Sequence, residues 1–322
     1  MNNIHLLTIS LCVLALNTYS AEMPPYPSRP VRLVISYSAG GPVDIVGRIA
    51  GQKLSEALGQ PVIADNRAGA NGNIATEIVA RSTPDGHTLL VGSNGSIAIN
   101  PSLYKRMEVD PLRDLAPVTL LAASPLILVT HPSVAPNSVK ELIQLAKSRP
   151  GGINFASAGS GSSAHLAAEL FKVMASIDLA HIPYKGAAPA LGDLVAGQVQ
   201  LMFTGVSATL PFIRGGKLKP LGVTGEKRIS VLPDVAAISE TVAGYEVTTW
   251  YGLFAAAKTS PAIIARLHSV LATALSGAET RQRLGALGAE ASGLTPEKFA
   301  PMIKTEIAKW AKVVNAAGIR PE

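Results

Sequence analysis

Along most of the chain, short apolar runs alternate with longer stretches whose apolar residues recur every three or four positions. Runs of the first kind predict strands, and stretches of the second predict amphipathic helices. "VRLVISYSAGG" (31–41) is a strand entering a glycine turn, and "PVDIVGRIAGQKLSEALG" (42–59) follows as a helix. Ile45, Val46, Ile49, Leu54, Ala57 and Leu58 keep one face of it. Pro42 suits the first turn, Asp44 lies near the positive end, and Gly59 closes the segment. "PVIADN" is the next strand and "GNIATEIVARS" the next helix. "HTLLVGS" is another strand, after the turn "TPDG". This order predicts a parallel sheet with helices on both faces.

The pattern then breaks twice. After "PLRDLAPV" comes the long apolar run "TLLAASPLILVTH", interrupted by Pro125. A central strand does not readily accept proline, so the chain is expected to cross between two lobes here. Alternation resumes at "SVKELIQLAKSRPGG" and continues through "INFASAG", "HLAAELFKVMAS", "LAHIPYKG", "APALGDLVAGQ", "VQLMFTG" and "LKPLGVTG". A second interruption, residues 226–261, leads back through the apolar strand "TWYGLFAAA", and helices finish the chain. Ser260–Pro261 caps one of them. Thr295–Pro296 opens another, with Phe299, Ile303, Ile307, Trp310 and Val314 on one face. Two crossings between two α/β units predict a bilobed molecule with a ligand cleft. Residues 21–124 plus 246–322 form one lobe and 125–245 the other, hinged at 123–130 and 245–252.

The N-terminus stands apart. Its apolar stretch from Ile4 to Leu16 is too short to span a bilayer and ends in small polar residues, so residues 1–20 are expected to be a secretory signal cut between Ser20 and Ala21. The n-region lacks Lys and Arg, which is unusual for such a segment. Cys12, the one cysteine, lies inside it. The mature chain therefore offers no thiolate zinc ligand and no Cys nucleophile. Beyond the signal no apolar run is long enough for a transmembrane helix.

The formal net charge of +6 is dispersed, with "GEKRIS" and "LYKR" its densest and short clusters. Nucleic-acid binders gather Lys and Arg on one face with aromatics among them, so a nucleic-acid partner is not expected. A mild positive field that draws small anions, or solubility alone, accounts for the charge.

The strand–glycine turn–helix unit occurs once in each predicted lobe, as "ISYSAGGPVDIVGR" and "INFASAGSGSSAHLAAE". A helix N-terminus carries unpaired N–H groups and roughly half a positive charge, and glycine lets backbone approach a ligand. Two such turns facing each other, Ser38 to Gly41 and Gly159 to Ser163, suit a small carboxylate gripped from both sides. Each turn also has a plainer reading as a tight connection. The second spells G-x-G-x-x-A with Asp178 following, close to a dinucleotide signature, but it stands mid-chain and Asp178 does not end a second strand. Phosphate-binding G-x-x-x-x-G-K-[ST] and hydrolase G-x-S-x-G motifs are missing. His165 and Glu169, at i and i+4, have metal-ligand spacing but no evident further ligands, His131 and His181 standing alone. No acid/base pair has spacing that argues for catalysis.

The collinear set "SAGGPVDIVGRIAGQKLSEALGQPVIADNRAGANGNIATEIVA", "TPDGHTLLVGS", "NPSLYKR", "SAGSGSSAHLAAELF", "HIPYKGAAPALGDLVAGQVQLMF" and "WYGLFAAAKTSP" covers about Val31 to Gly318. It resembles the Bug-type periplasmic solute receptors of tripartite tricarboxylate transporters. The resemblance implies an α/β, type II periplasmic-binding-protein fold whose lobes close on a small mono-, di- or tricarboxylate held by main-chain groups of two loops, partly through ordered water. The first loop is Tyr37, Ser38, Ala39, Gly40 and Gly41, with Asp44 behind it. The second is Ala158, Gly159, Ser160, Gly161, Ser162 and Ser163, with His165 starting the helix. Ser93, Asn94, Tyr184, Lys185, Phe203 and Thr204 border the cleft. Plainer roles stand beside three of these: a helix cap for Asp44, packing for Tyr184, a solvated charge for Lys185.

Four positions depart from the family pattern: Ser38 and Ala39 in place of two prolines, Val43 in place of a threonine, and Thr204 in place of an aspartate. An acid after Phe203 would pair with a ligand amine, so Thr204 implies a non-aminated carboxylate. The resemblance further implies a periplasmic, non-catalytic monomer without a cofactor, serving the membrane subunits of a transporter. A sensor that feeds a signalling receptor, and an exported enzyme acting on a carboxylate, are the alternatives.

Overall fold

The computed structural model describes residues 26–316 and 319. The expected signal, its cleavage point and Cys12 lie outside the described residues. Within them, the first group of elements follows the apolar pattern: β1 (Val31–Ile35), α1 (Pro42–Leu58), β2 (Val62–Asn66), α2 (Asn73–Ala80) and β3 (Thr88–Ser93). A π-helical turn over Gly95–Ile99 and two one-turn helices, α3 (Asn100–Leu103) and α4 (Pro111–Asp114), lead into β4 (Leu115–Thr130). The second group is α5 (Val139–Ser148), β5 (Asn154–Ser157), α6 (Ser163–Ala175), β6 (Ala180–Pro183), α7 (Ala187–Val195), β7 (Leu201–Gly205), α8 (Val206–Arg214) and β8 (Lys219–Val223). The chain returns through β9 (Thr248–Ala256) and ends in α9 (Pro261–Ser276), α10 (Ala278–Gly285), β10 (Glu290–Leu294) and α11 (Pro296–Ala316).

The strands form one continuous mixed sheet in the order β2-β1-β3-β9-β4-β7-β5-β6, with β8 and β10 also paired to β4. Only the triplets β2-β1-β3 and β6-β5-β7 are parallel, and every pairing of β4 and β9 is antiparallel. The expected all-parallel sheet is therefore corrected. β4 and β9 run between the two α/β halves rather than within a βαβ unit, so nothing forces them to be parallel.

The expectation that Pro125 breaks its apolar run is also corrected. β4 is a single strand of 16 residues. Up to Pro125 it pairs with β9, and over Leu120–Ala123 with β10 as well. From Leu126 onward its partners are β7 and β8. The missing N–H of Pro125 falls where one set of partners ends and the next begins, so the strand tolerates it. Beyond this point the Leu126 N–H donates to Thr224 Oγ1 at 2.7 Å. The return crossing is held by the same threonine, because Val247 N–H donates to the Thr224 carbonyl at 2.9 Å.

α8, α10 and β10 were not anticipated from the pattern. α8 carries a proline inside it, and β10 has a glycine at positive φ and a register shift, features that mask an element in sequence. The expected face of α11 holds. Phe299, Ile303, Trp310 and Val314 are buried and Ile307 packs against the same core. Phe299 lies edge-on to Trp250 of β9, with ring centroids 5.5 Å apart.

Candidate functional site

The first glycine loop leaves the end of β1 and is folded by Asp44. This buried carboxylate accepts the Gly40 N–H at 2.9 Å, the Arg48 Nε–H at 2.9 Å and the Asn66 amide at 2.9 Å. The same Asn66 amide donates to the Tyr37 carbonyl at 2.9 Å. Burial alone would raise the Asp44 pKa. The hydrogen bonds from Arg48, Gly40 and Asn66 outweigh it and hold the carboxyl below its usual range. Asp44 thus shapes the loop, and its charge is already matched. Pro42 brings no N–H, so the first-turn donors of α1 that remain are those of Val43 and Asp44.

The second loop is folded by hydroxyls and two histidines. Ser157 Oγ accepts the Gly159 N–H at 3.1 Å, bonds the Gly159 carbonyl at 3.0 Å, and lies 2.7 Å from His181 Nε2. Ser162 caps α6 by accepting the His165 N–H at 3.2 Å. In return the Gly161 N–H donates to His165 Nδ1 at 3.0 Å, so the neutral ring carries its proton on Nε2. The rings of His165 and His181 stack 4.0 Å apart. Burial, aided by the charges of His181 and Lys172, pushes His165 down to about 3. Burial and Lys172 push His181 down to about 4. Both rings are neutral at pH 7. The N–H groups of Gly159 and Gly161 are consumed inside the loop, leaving those of Ser163 and Ala164 in the first turn of α6.

The two loops meet at a cavity of about 50 Å³. Tyr37, Gly41, Pro42 and Val43 form one wall, and Ala158, Ser162, Ser163 and Ala164 the facing one. Ser93 closes an end from β3, Leu126 comes from β4, and Thr249 and Tyr251 come from β9. Ala187 opens α7, and Thr204 and Gly205 lead into α8. Four helix N-termini therefore converge here, those of α1, α6, α7 and α8. Each brings about half a positive charge, so together they are equivalent to roughly two. No wall residue carries a charged side chain. The arrangement offers fixed dipoles and hydroxyls to an anion, and among the described residues no group of His, Cys, Asp and Glu suits a metal ion.

The halves are in contact around this cavity. Ser163 Oγ donates to Asn94 Oδ1 at 2.6 Å, and Asn94 also reaches the Thr248 carbonyl at 3.4 Å. A Cβ on Gly205 would sit 2.5 Å from Pro42 Cγ, and one on Gly186 would collide with Ser38. One on Gly161 would collide with Leu103. Bare backbone at these points is what lets the halves approach.

Of the residues expected from sequence, the cavity wall brings together Tyr37, Gly41, Ser93, Ala158, Ser162, Ser163 and Thr204. Ala39 and Gly40 are exposed, Ser38 and Ser160 half-buried, and Gly159 and Gly161 serve the loop itself. Asp44, Asn94 and His165 stand behind the wall. Tyr184 donates its hydroxyl to Asp193 at 2.6 Å, and burial with that bond pushes its pKa up to about 12. Lys185 is exposed. The helix start just beyond it supplies Ala187 instead. Phe203 is wholly buried against Phe171, 5.7 Å between ring centroids, and strand alternation turns its neighbour Thr204 to the cavity. Sequence reasoning missed Pro42, Val43, Leu126, Ala164, Ala187, Gly205, Thr249 and Tyr251. Gly186 and Gly205 each precede a helix after a strand, the same signal that marked the other two turns.

Comparison with known proteins identifies the family. The model of the tripartite tricarboxylate transporter family receptor matches residues 46–319. The protein BugT of Bordetella pertussis is 36% identical over 299 residues, 92% of this chain and 91% of its own. The solved structure of R. palustris Rpa4515 with adipate is 36% identical with a TM-score of 0.90, covering 92% of this chain and 100% of that one. MatC from Rhodopseudomonas palustris with bound malate is 33% identical with a TM-score of 0.85, covering 90% and 100%. The fold is that of the periplasmic solute receptors, and the chain belongs to the tripartite tricarboxylate transporter receptor family.

Proposed function

We propose that this protein is an extracytoplasmic receptor that takes a small non-aminated carboxylate into the cavity between its two halves and delivers it to the membrane subunits of a transporter. The observation that carries this reading is the convergence of four helix N-termini on a cavity without a charged side chain. Such a site stabilises an anion through dipoles and N–H donors, and its wall offers no carboxylate, histidine or lysine for acid–base chemistry. The relatives solved with adipate and malate support the ligand class. Residues 21–124 plus 246–322 form one lobe and 125–245 the other, and opening at 123–130 and 245–252 admits the ligand. Closure excludes water and strengthens the charge-assisted hydrogen bonds. The receptor acts as a monomer after export to the periplasm, with residues 1–20 removed, and releases its ligand unchanged.

A thermal-shift screen of carboxylates against the mature chain tests the reading. A ligand present at a hundred times its Kd stabilises the folded state by about 2.7 kcal/mol, a rise of about 4 °C for a chain of this size. If no carboxylate raised the melting temperature while a nicotinamide or flavin cofactor did, the proposal would fail.

A further inference from the structure

On β9, alternate residues face opposite ways. Thr249 and Tyr251 line the cavity, while Trp250 packs on α11. Thr249 is 4% exposed, and its Oγ1 has no hydrogen-bond partner among the described residues. Three neighbouring serine hydroxyls are occupied. Ser162 accepts from the His165 backbone, Ser163 donates to Asn94, and Ser124, opposite Thr249 in the strand register, donates to the Pro125 carbonyl at 2.8 Å. A buried hydroxyl without a partner is costly unless something that enters the site supplies one.

We infer that Thr249 is a specificity-determining residue, whose hydroxyl donates to a second oxygen function on the ligand while the helix N-termini hold the first carboxylate. The inference rests on the carboxylate-receptor reading and deepens it. Because Thr249 lies on a strand that pairs with the crossing strand β4, a ligand that engages it is held against the hinge as well as the loops.

The test uses chain-length-matched acids on the mature protein: malonate with propionate, succinate with butyrate, glutarate with valerate, adipate with hexanoate. Each pair differs only in whether the far end is a carboxylate or a methyl group. Wild type is expected to prefer the dicarboxylate of at least one pair. Thr249→Val, which keeps the shape and removes the hydroxyl, is expected to weaken that dicarboxylate about tenfold or more and leave the monocarboxylate unchanged. Thr249→Ser is expected to restore the preference. The inference is overturned if wild type prefers no dicarboxylate over its monocarboxylate partner, or if Thr249→Val weakens both members equally. If no acid of the panel or of a wider carboxylate screen binds wild type, the receptor reading itself fails.

Discussion

Gly205 is the sharpest point at which to test closure. Its φ of −66° and ψ of 138° are extended backbone, which alanine adopts without strain. The added methyl, however, would lie 2.5 Å from Pro42 Cγ and 2.8 Å from Pro42 Cβ, across the cavity. Carbon atoms rest at about 3.5–4.0 Å, so the proline ring must retreat by roughly 1 Å. Pro42 is locked at the first position of α1 and cannot turn aside by a rotamer change. Overpacking of this kind costs about 1–3 kcal/mol. In the open molecule proposed above the methyl would meet nothing, so the cost would fall on the closed, ligand-bound state. Gly205→Ala is therefore expected to bind its carboxylate roughly 5- to 150-fold more weakly. The ligand-free protein should be as stable as wild type or slightly more so, since alanine restricts the unfolded chain. Isothermal titration gives the first quantity and denaturant unfolding the second. A dissociation constant within a factor of two of wild type would refute the reasoning, as would an equal loss of ligand-free stability. Gly186→Ala provides the contrast. Its φ of +134° strains any side chain, so it should lower stability with and without ligand.

Other outcomes follow from the loops. Asp44→Ala removes the acceptor for Gly40, Arg48 and Asn66, and should cost about 1–3 kcal/mol of stability together with a larger loss of affinity, measured by urea unfolding and titration. Arg48 is half exposed and turns to water, which keeps the stability cost at the lower end. The folded-state pKa of Asp44 lies below its unfolded value, so its contribution is present above about pH 4 and fades as pH falls through the folded value. The two histidines act over a higher window. Both are depressed from 6.5, to about 3 and about 4, so the unfolded chain binds more protons between those limits and stability falls as pH drops below 6.5. Their contribution at pH 5 is on the order of 1–2 kcal/mol each, and His181→Gln should shrink the difference between unfolding curves at pH 7 and pH 5. A His181→Gln variant with the full wild-type difference would show that the acid sensitivity lies elsewhere.

Much of the architecture was legible because apolar periodicity encodes whether a segment is buried on one face or two. It encodes which strands touch far less well. Nothing in "TLLAASPLILVTH" shows that a strand continues through Pro125, because the proline is harmless only when the partners change there, and partners are distant in sequence. The site divides in the same way. The two serine-rich glycine turns are visible in composition, whereas Gly186 and Gly205 open α7 and α8 as single glycines outside any glycine-serine run. Thr249 and Tyr251 lie inside an apolar strand, and their role depends on which face meets the cavity. Conversely, Phe203 and Tyr184 sit next to cavity residues in sequence but turn to the core and to Asp193.

The chain has two tryptophans, Trp250 on β9 and Trp310 on α11, and both indole N–H groups donate to one carboxylate oxygen of Glu306, at 3.3 Å and 2.9 Å. All of the indole emission therefore originates at a single junction, where the last helix docks on the strand that also carries Thr249. The fluorescence of this protein is not a global average but a local gauge. It records the detachment of α11 on denaturation, and it registers a ligand only through the displacement of β9.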